Sequence, residues 1–300
     1  MVRNASWEPE KGSGIAIEWV EANGLTFEVA TAGPGDGDHL ALCLHGFPEL
    51  HYSWRKQIPV LAEMGYRVWA PNLRGYGGTD RPQGTDAYRL RTLAKDVAGL
   101  IDASGAKQVT LIAHDWGAII AWYFAILKVR PLTRLVILNV PHPKCAEREI
   151  KKWRQMKKSW YIFFFQLPWL PERFLSRGNF APIKRIFRDS AINKERFDDA
   201  TLEPYICAAQ RPGAASAMLN YYRALLRRKD ARDVASGKVD VPTLVLWGEQ
   251  DVAIDIHVLD GMEDFVGDLT VKRFPQASHW VQQDVPDEIN AALKDWLPRA

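Results

Sequence analysis

Residues 109–118 read Val109-Thr-Leu-Ile-Ala-His-Asp115-Trp-Gly-Ala118. A short apolar β run, Val109–Ala113, ends here, and a helical pattern runs from Trp116 to Lys128. Small residues stand two positions before and two after Asp115, at Ala113 and Gly117. That is the spacing of a tight strand-to-helix turn, where steric crowding demands small neighbours around a projecting central side chain. A Ser at that centre attacks esters and needs a base to activate it. Asp is already ionised at pH 7, and the N-terminus of the following helix favours its charge. Such a carboxylate is suited to displace a leaving group from a saturated carbon, forming an alkyl ester. The plain alternative is an Asp that only caps the helix.

Outward from this turn, strands and helices alternate. Ile15–Val20 and Leu25–Ala32 predict two strands joined by Asn23-Gly24, a hairpin signal. Leu40–Leu44, Arg67–Ala70, Leu132–Leu138, Thr243–Trp247 and Thr270–Phe274 read as further short strands, buried on both faces. Helices are predicted at Ser53–Met64 (capped by Ser53, irregular at Pro59), Leu90–Ala103 and Pro286–Leu297. The pattern is that of an α/β protein with a mostly parallel sheet and helices on both faces. From Pro141-His142-Pro143 to about Ala235 no buried strand is predicted, and strand signals resume at Val239. Residues 142–235 are read as a helical cap inserted into a core made of residues 1–141 and 236–300. Ligands of open α/β sheets bind outside the carboxyl ends of the strands, where such a cap would close.

Composition narrows the class. With 300 residues, 47% hydrophobic and 25% charged, the chain can bury a substantial core. Lys+Arg 39 against Asp+Glu 36 is too balanced to announce a nucleic-acid partner. Cys43, Cys145 and Cys207 are too few and too far apart for a disulfide framework or a metal site, so no metal or organic cofactor is expected. No signal-type apolar region and no membrane-length apolar run is found, so a cytoplasmic protein without a transmembrane segment is expected.

An aspartyl ester must be hydrolysed, which needs a base for water and an acid to orient that base. In chain order these follow the nucleophile as Asp/Glu and then His. Gly248-Glu-Gln-Asp251 follows one predicted strand, and Pro275-Gln-Ala-Ser-His279 follows the next. Asp251 is the favoured acid, with Glu249 its competitor. His279 alone fits the base: His39, His51 and His257 read as surface residues, and His114 and His142 as structural ones. The loop His45-Gly46-Phe47-Pro48-Glu49 follows the third strand. The backbone amides of Phe47 and Trp116 are the expected oxyanion-hole donors.

These segments together resemble the epoxide hydrolases of the α/β-hydrolase fold along nearly the whole chain. The likeness rests on HGFPE at 45–49, YSWR at 52–55, NLRGYGGTDRP at 72–82, HDWG at 114–117, GEQD at 248–251 and SHWVQQDVP at 278–286. It implies an α/β-hydrolase core with a helical cap. It also implies two cap tyrosines that hydrogen-bond an epoxide oxygen: Tyr161, five residues before Gln166, and Tyr222, within Asn220-Tyr221-Tyr222-Arg223. Tyr221 becomes the candidate if the register shifts by one. Chemically the pair suits ring opening, because an alkoxide is a far stronger base than a phenolate of pKa about 10. Two departures stand out: Ala113 where the family commonly has Gly, and Asn72 where many relatives carry Asp.

Lys144, Arg148, Lys151, Lys152, Arg154, Lys157 and Lys158 precede the aromatic run Trp160–Trp169. The favoured reading is a solvated helix face followed by pocket lining, with Phe165, Phe47 and Trp116 contacting substrate. The sharper one is weak contact with an anionic membrane surface or guidance of a carboxylate substrate. The expected reaction is hydrolysis of a small apolar epoxide by water to a vicinal diol. Dehalogenation by the same Asp-His-Asp machinery and non-catalytic ligand binding are the alternatives. A serine esterase is disfavoured because the turn lacks Ser.

Overall fold

The computed structural model describes residues 3–227 and 237–300. Eight strands form one sheet: β1 (Ala16–Ala22), β2 (Leu25–Ala32), β3 (His39–Leu44), β4 (Arg67–Pro71), β5 (Gln108–His114), β6 (Arg134–Leu138), β7 (Thr243–Gly248) and β8 (Leu269–Phe274). Their spatial order is β1-β2-β4-β3-β5-β6-β7-β8. β2 is antiparallel to β1 and β4, and every other pairing is parallel. Asn23 and Gly24 both take positive φ, which matches the right-handed twist of the hairpin they close.

The apolar runs occupy the middle of the sheet because helices cover both faces there. All six residues of β3 and of β7 are buried. Predicted burial fails at β8, an edge strand in which Val271 and Arg273 are exposed and the other residues part-buried. The core helices are α1 (Ile58–Glu63), α2 (Leu90–Ser104) and α3 (Asp115–Ile126). The helix predicted from Ser53 is split into a 3₁₀ turn at His51–Trp54 and α1, with no side-chain cap at either start. Pro59 thus lies in the first turn of α1, where its missing N–H costs nothing.

Between β6 and β7 come α4 (Pro143–Glu149), α5 (Trp153–Lys158), α6 (Trp160–Phe164), α7 (Leu170–Ser190), α8 (Asp199–Ala209) and α9 (Ala214–Leu226). No strand interrupts them among the described residues, and the boundary predicted at 235/236 lies outside those residues. α7 is broken at Arg177–Phe180, where Gly178, Asn179 and Phe180 are left-handed. The chain closes with α10 (Val281–Asp284) and α11 (Pro286–Trp296).

Two residues read as surface histidines are buried. His39 opens β3, pairs with β5, and its Nε2 lies 2.9 Å from Thr110 Oγ1. His51 is covered by Trp7 of the N-terminal segment and by Glu28. The third, His257, is exposed.

Candidate active site

β5 and α3 meet at Asp115, which is the first helical residue and has φ of +47°. The helix is capped in position by His114, so Asp115 is not the N-cap. This left-handed backbone conformation is strained for a residue with a side chain. A side chain on Gly117 would collide with the backbone of Leu44 and His45, and the Gly117 amide instead donates to the His45 carbonyl at 3.0 Å. The glycine at this turn is therefore a packing requirement.

Asp115 Oδ1 accepts the Phe47 amide at 2.7 Å, and Oδ2 lies 3.5 Å from His279 Nε2. The Trp116 amide lies in the first turn of α3, where no helix carbonyl can accept it. His279 Nδ1 sits 2.7 Å from Asp251 Oδ2. Asp251 Oδ1 accepts the amides of Ala253 and Ile254 at 2.7 and 2.9 Å. Glu249, the competing acid, pairs instead with Arg273 at 2.8 Å.

Charge follows from this layout. Burial pushes the Asp115 carboxyl up, but the hydrogen bond and charge of His279, the charge of His114 and the Phe47 amide outweigh it and hold it below its ordinary value. Burial likewise opposes ionisation of Asp251, and His279 and Asn139 reverse the effect. Burial lowers His279, yet the two flanking carboxylates raise it well above the ordinary imidazole range.

Two supporting residues escaped the sequence reading. Asn139, at the carboxyl end of β6, donates to Asp251 Oδ2 at 2.8 Å and accepts the Gly248 amide at 2.8 Å. Its signal was a polar residue closing a buried apolar strand. Glu49 is a fully buried carboxylate that meets His114 Nδ1 at 2.6 Å and accepts Gly46 N, Gln282 Nε2 and Gln283 Nε2, each at 2.9 Å. His114 Nε2 in turn lies 2.9 Å from the His279 carbonyl. His114 thus acts structurally, tying the first loop to the His279 loop, and only the grouping of HGFPE with HDWG hinted at it. His142 caps α4 and stacks on Phe265.

A cavity of about 750 Å³ opens above Asp115 and His279. Tyr161, Phe165 and Phe47 line it, as does Tyr222, whose ring stands edge-on to Phe47, Phe165 and Trp116 at 5.3, 4.9 and 4.9 Å. Tyr161 and Tyr222 are 5.9 Å apart between ring centroids. Burial raises both phenols, with the Asp115 charge adding to it, so both remain protonated donors. Tyr221 turns away: its hydroxyl donates to the Arg74 carbonyl at 2.8 Å. Trp116, expected to contact substrate, does not line the cavity. Its ring packs edge-on against that of Tyr222, 4.9 Å between centroids. Trp280, not anticipated, does line it and donates to Ser190 Oγ at 2.7 Å. Among the described residues no cluster of His, Cys, Asp or Glu has the make-up of a metal site.

Comparison with known proteins agrees with this construction. Residues 42–286 match the family model described as alpha/beta hydrolase fold. A human protein, Epoxide hydrolase 4, is 37% identical across 97% of this chain and 80% of its own. Epoxide hydrolase 3 of Xenopus tropicalis is 35% identical across 92% of this chain and 75% of its own. The crystal structure of Bacillus megaterium epoxide hydrolase in complex with an inhibitor aligns with a TM-score of 0.84 at 29% identity, covering 93% of this chain and 99% of that one. The chain belongs to the α/β hydrolases and, within them, to the epoxide hydrolase family.

Proposed function

We propose that this epoxide hydrolase converts an apolar epoxide and water to a vicinal diol through an ester on Asp115. The observation that carries the reading is one cavity with the Asp115 carboxylate on its floor and two protonated tyrosines, Tyr161 and Tyr222, in its wall. Residues 142–235 act as the cap that supplies the tyrosines, and the remaining residues as the core that supplies Asp115, Asp251 and His279. The three cysteines, all free thiols, support a cytoplasmic setting.

Asp115 Oδ1 already rests on the Phe47 amide and becomes the ester carbonyl oxygen. Oδ2 is left to attack an epoxide carbon. As that carbon–oxygen bond breaks, the departing oxygen takes a proton from a tyrosine. Esterification then removes the negative charge of Asp115. One of the two carboxylates that held His279 protonated is gone, its pKa falls, its proton passes to the tyrosinate and restores the phenol, and it becomes a base. His279, held by Asp251, takes a proton from water, whose oxygen adds to the ester carbonyl carbon. The oxyanion sits on the amides of Phe47 and Trp116. On collapse the departing diol oxygen takes the proton of the added hydroxyl, which releases the diol, restores the Asp115 carboxylate and leaves His279 protonated as at the start.

The test is product analysis with styrene oxide, a long-chain epoxy fatty acid, a bromoalkane and fluoroacetate, measuring diol and halide together. Diol without halide, abolished by Asp115→Ala, is expected. Halide without diol would move the chemistry to dehalogenation.

A further inference from the structure

The run predicted to line a pocket does so only on one side. Tyr161 and Phe165 point into the cavity, and Gln155 and Lys158 hold the segment down, donating to the carbonyls of Ala253 and Asp251 at 2.9 and 2.8 Å. The opposite side carries Trp153 and Met156 on α5, Trp160 and Phe163 on α6, and Leu167 just beyond α6, spaced by three and four residues. That spacing makes one stripe along a helical path. In a globular protein such a stripe faces the core; here its members are 67, 47, 62, 66 and 44% exposed. Trp169 and Phe174 extend it at 67 and 46%, Phe174 through edge contact with Phe164. Isolated exposed apolar residues need no explanation, but a continuous aromatic stripe does.

Charge says what covers it. Between residues 142 and 190 there are twelve lysines and arginines against four acidic residues, in a chain whose net charge is +3. The buried Glu149 absorbs three of these cations, Arg148, Lys152 and Arg154. Lys151, Lys157, Arg173, Arg177 and Arg185 are exposed and have no acidic partner among the described residues. Lys157 lies over the Trp153 ring, 5.0 Å from its centroid. Tryptophan and phenylalanine flanked by free cations match the boundary of an anionic bilayer, where rings enter the interface and lysines meet headgroups. Trp160, Phe174, Arg177 and Arg185 also border the cavity.

We infer that the exposed aromatic stripe from Trp153 to Phe174 is a docking surface for anionic phospholipid bilayers, which seats the cavity mouth against the membrane. An apolar substrate dissolved in the bilayer then reaches Asp115 without crossing bulk water.

Vesicle sedimentation tests this. Wild-type protein is expected to sediment with 3:1 phosphatidylcholine:phosphatidylglycerol vesicles at least tenfold better than with phosphatidylcholine alone. Trp153→Ser combined with Phe163→Ser should weaken binding to the anionic vesicles by at least tenfold. Lys151→Glu with Lys157→Glu should remove the preference for phosphatidylglycerol, each lost lysine counting on the order of fivefold. Neither pair borders the cavity, and circular dichroism melts, independent of activity, verify folding. Equal sedimentation of wild type and the Trp153/Phe163 variant, or none by wild type, overturns the proposal. A concentration-dependent dimer in light scattering, abolished by that variant and unaccompanied by vesicle binding, also overturns it and gives the stripe to a second copy of the chain.

Discussion

His279 stands between two carboxylates, Asp251 at 2.7 Å and Asp115 at 3.5 Å, and each raises its affinity for a proton. Replacing Asp115 with Asn imitates the charge loss of the ester. The His279 pKa should then fall, followed by ¹⁵N chemical shifts of the ring across pH 5–9. An unchanged pKa in Asp115→Asn would deny the proposed switch from acid to base. The two adjacent tyrosines separate by the same logic. Tyr222→Phe removes a hydroxyl that faces the cavity and should lower kcat at least tenfold with little change in melting temperature. Tyr221→Phe strands the Arg74 carbonyl and should cost about 1 kcal/mol of stability while leaving kcat near wild type. The reverse pattern would shift the ring-opening role to Tyr221. At this scale the sequence was most legible where spacing carried chemistry: Asp115, Asp251 and His279 converge as their loops predicted. Tyr221 and Tyr222 could not be ordered, because both are buried aromatics on α9 and only its rotation against α3 decides which one faces the cavity. Asn139 and Glu49 were missed for a related reason. Their partners lie across the sheet, and sequence distance conceals them.

Elements were legible in proportion to how much of their environment they carry themselves. β3 and β7 are apolar beyond His39 and Thr243 at their starts and lie inside the sheet. β8 is apolar at only three of its six positions and lies at the edge, where Val271 and Arg273, two residues apart on one face, are exposed. The turn between β5 and α3 allows a sharper test. Ala113 is fully buried within β5, opposite Leu44 and Ile137. Its methyl group is accommodated, so Ala113→Gly should lose about 0.5–1 kcal/mol from added chain freedom and keep diol formation. Gly117→Ala is different, because its Cβ would stand 2.7 Å from the His45 carbonyl oxygen, a fixed backbone atom. That substitution should cost at least 2 kcal/mol, by analogy with overpacked cores, and lower activity by displacing Asp115. Urea unfolding with unchanged m-values gives both numbers. Equal costs for the two substitutions would mean that the turn is not set by crowding.

At the scale of the molecule, one buried carboxylate ties together segments far apart in sequence. Glu28 of β2 accepts the Ser6 amide and hydroxyl, Asn72 Nδ2 at 2.7 Å and the Gly78 amide at 2.6 Å, with His51 Nε2 at 3.5 Å. It thereby pins the N-terminal segment and the loops after β3 and β4 to the sheet. Burial raises its pKa, but the His51 imidazole and the Ser6 and Gly78 amides prevail and lower it from 4.5 to about 2. The folded value lies below the unfolded one, so the stabilisation is complete above pH 4.5 and drains away as pH falls toward 2. A shift of that size is worth roughly 3 kcal/mol, of which about 1.4 kcal/mol is lost by pH 3.5. Glu28→Gln cannot titrate, so its stability deficit against wild type should shrink by that amount between pH 7 and 3.5. Parallel stability curves would refute the assignment. Asn72 also has its reason here: its amide donates to Glu28 and Ser6, and its oxygen accepts the His51 amide at 2.9 Å. In Asn72→Asp a second carboxylate faces Glu28, and two such groups cannot both ionise cheaply. The variant should be less stable than wild type at pH 7 and regain ground as the pair takes up a proton on acidification. Its deficit therefore narrows from a higher pH than that of Glu28→Gln, and Glu28→Gln in the same chain should remove the difference by leaving the new carboxylate beside a neutral amide.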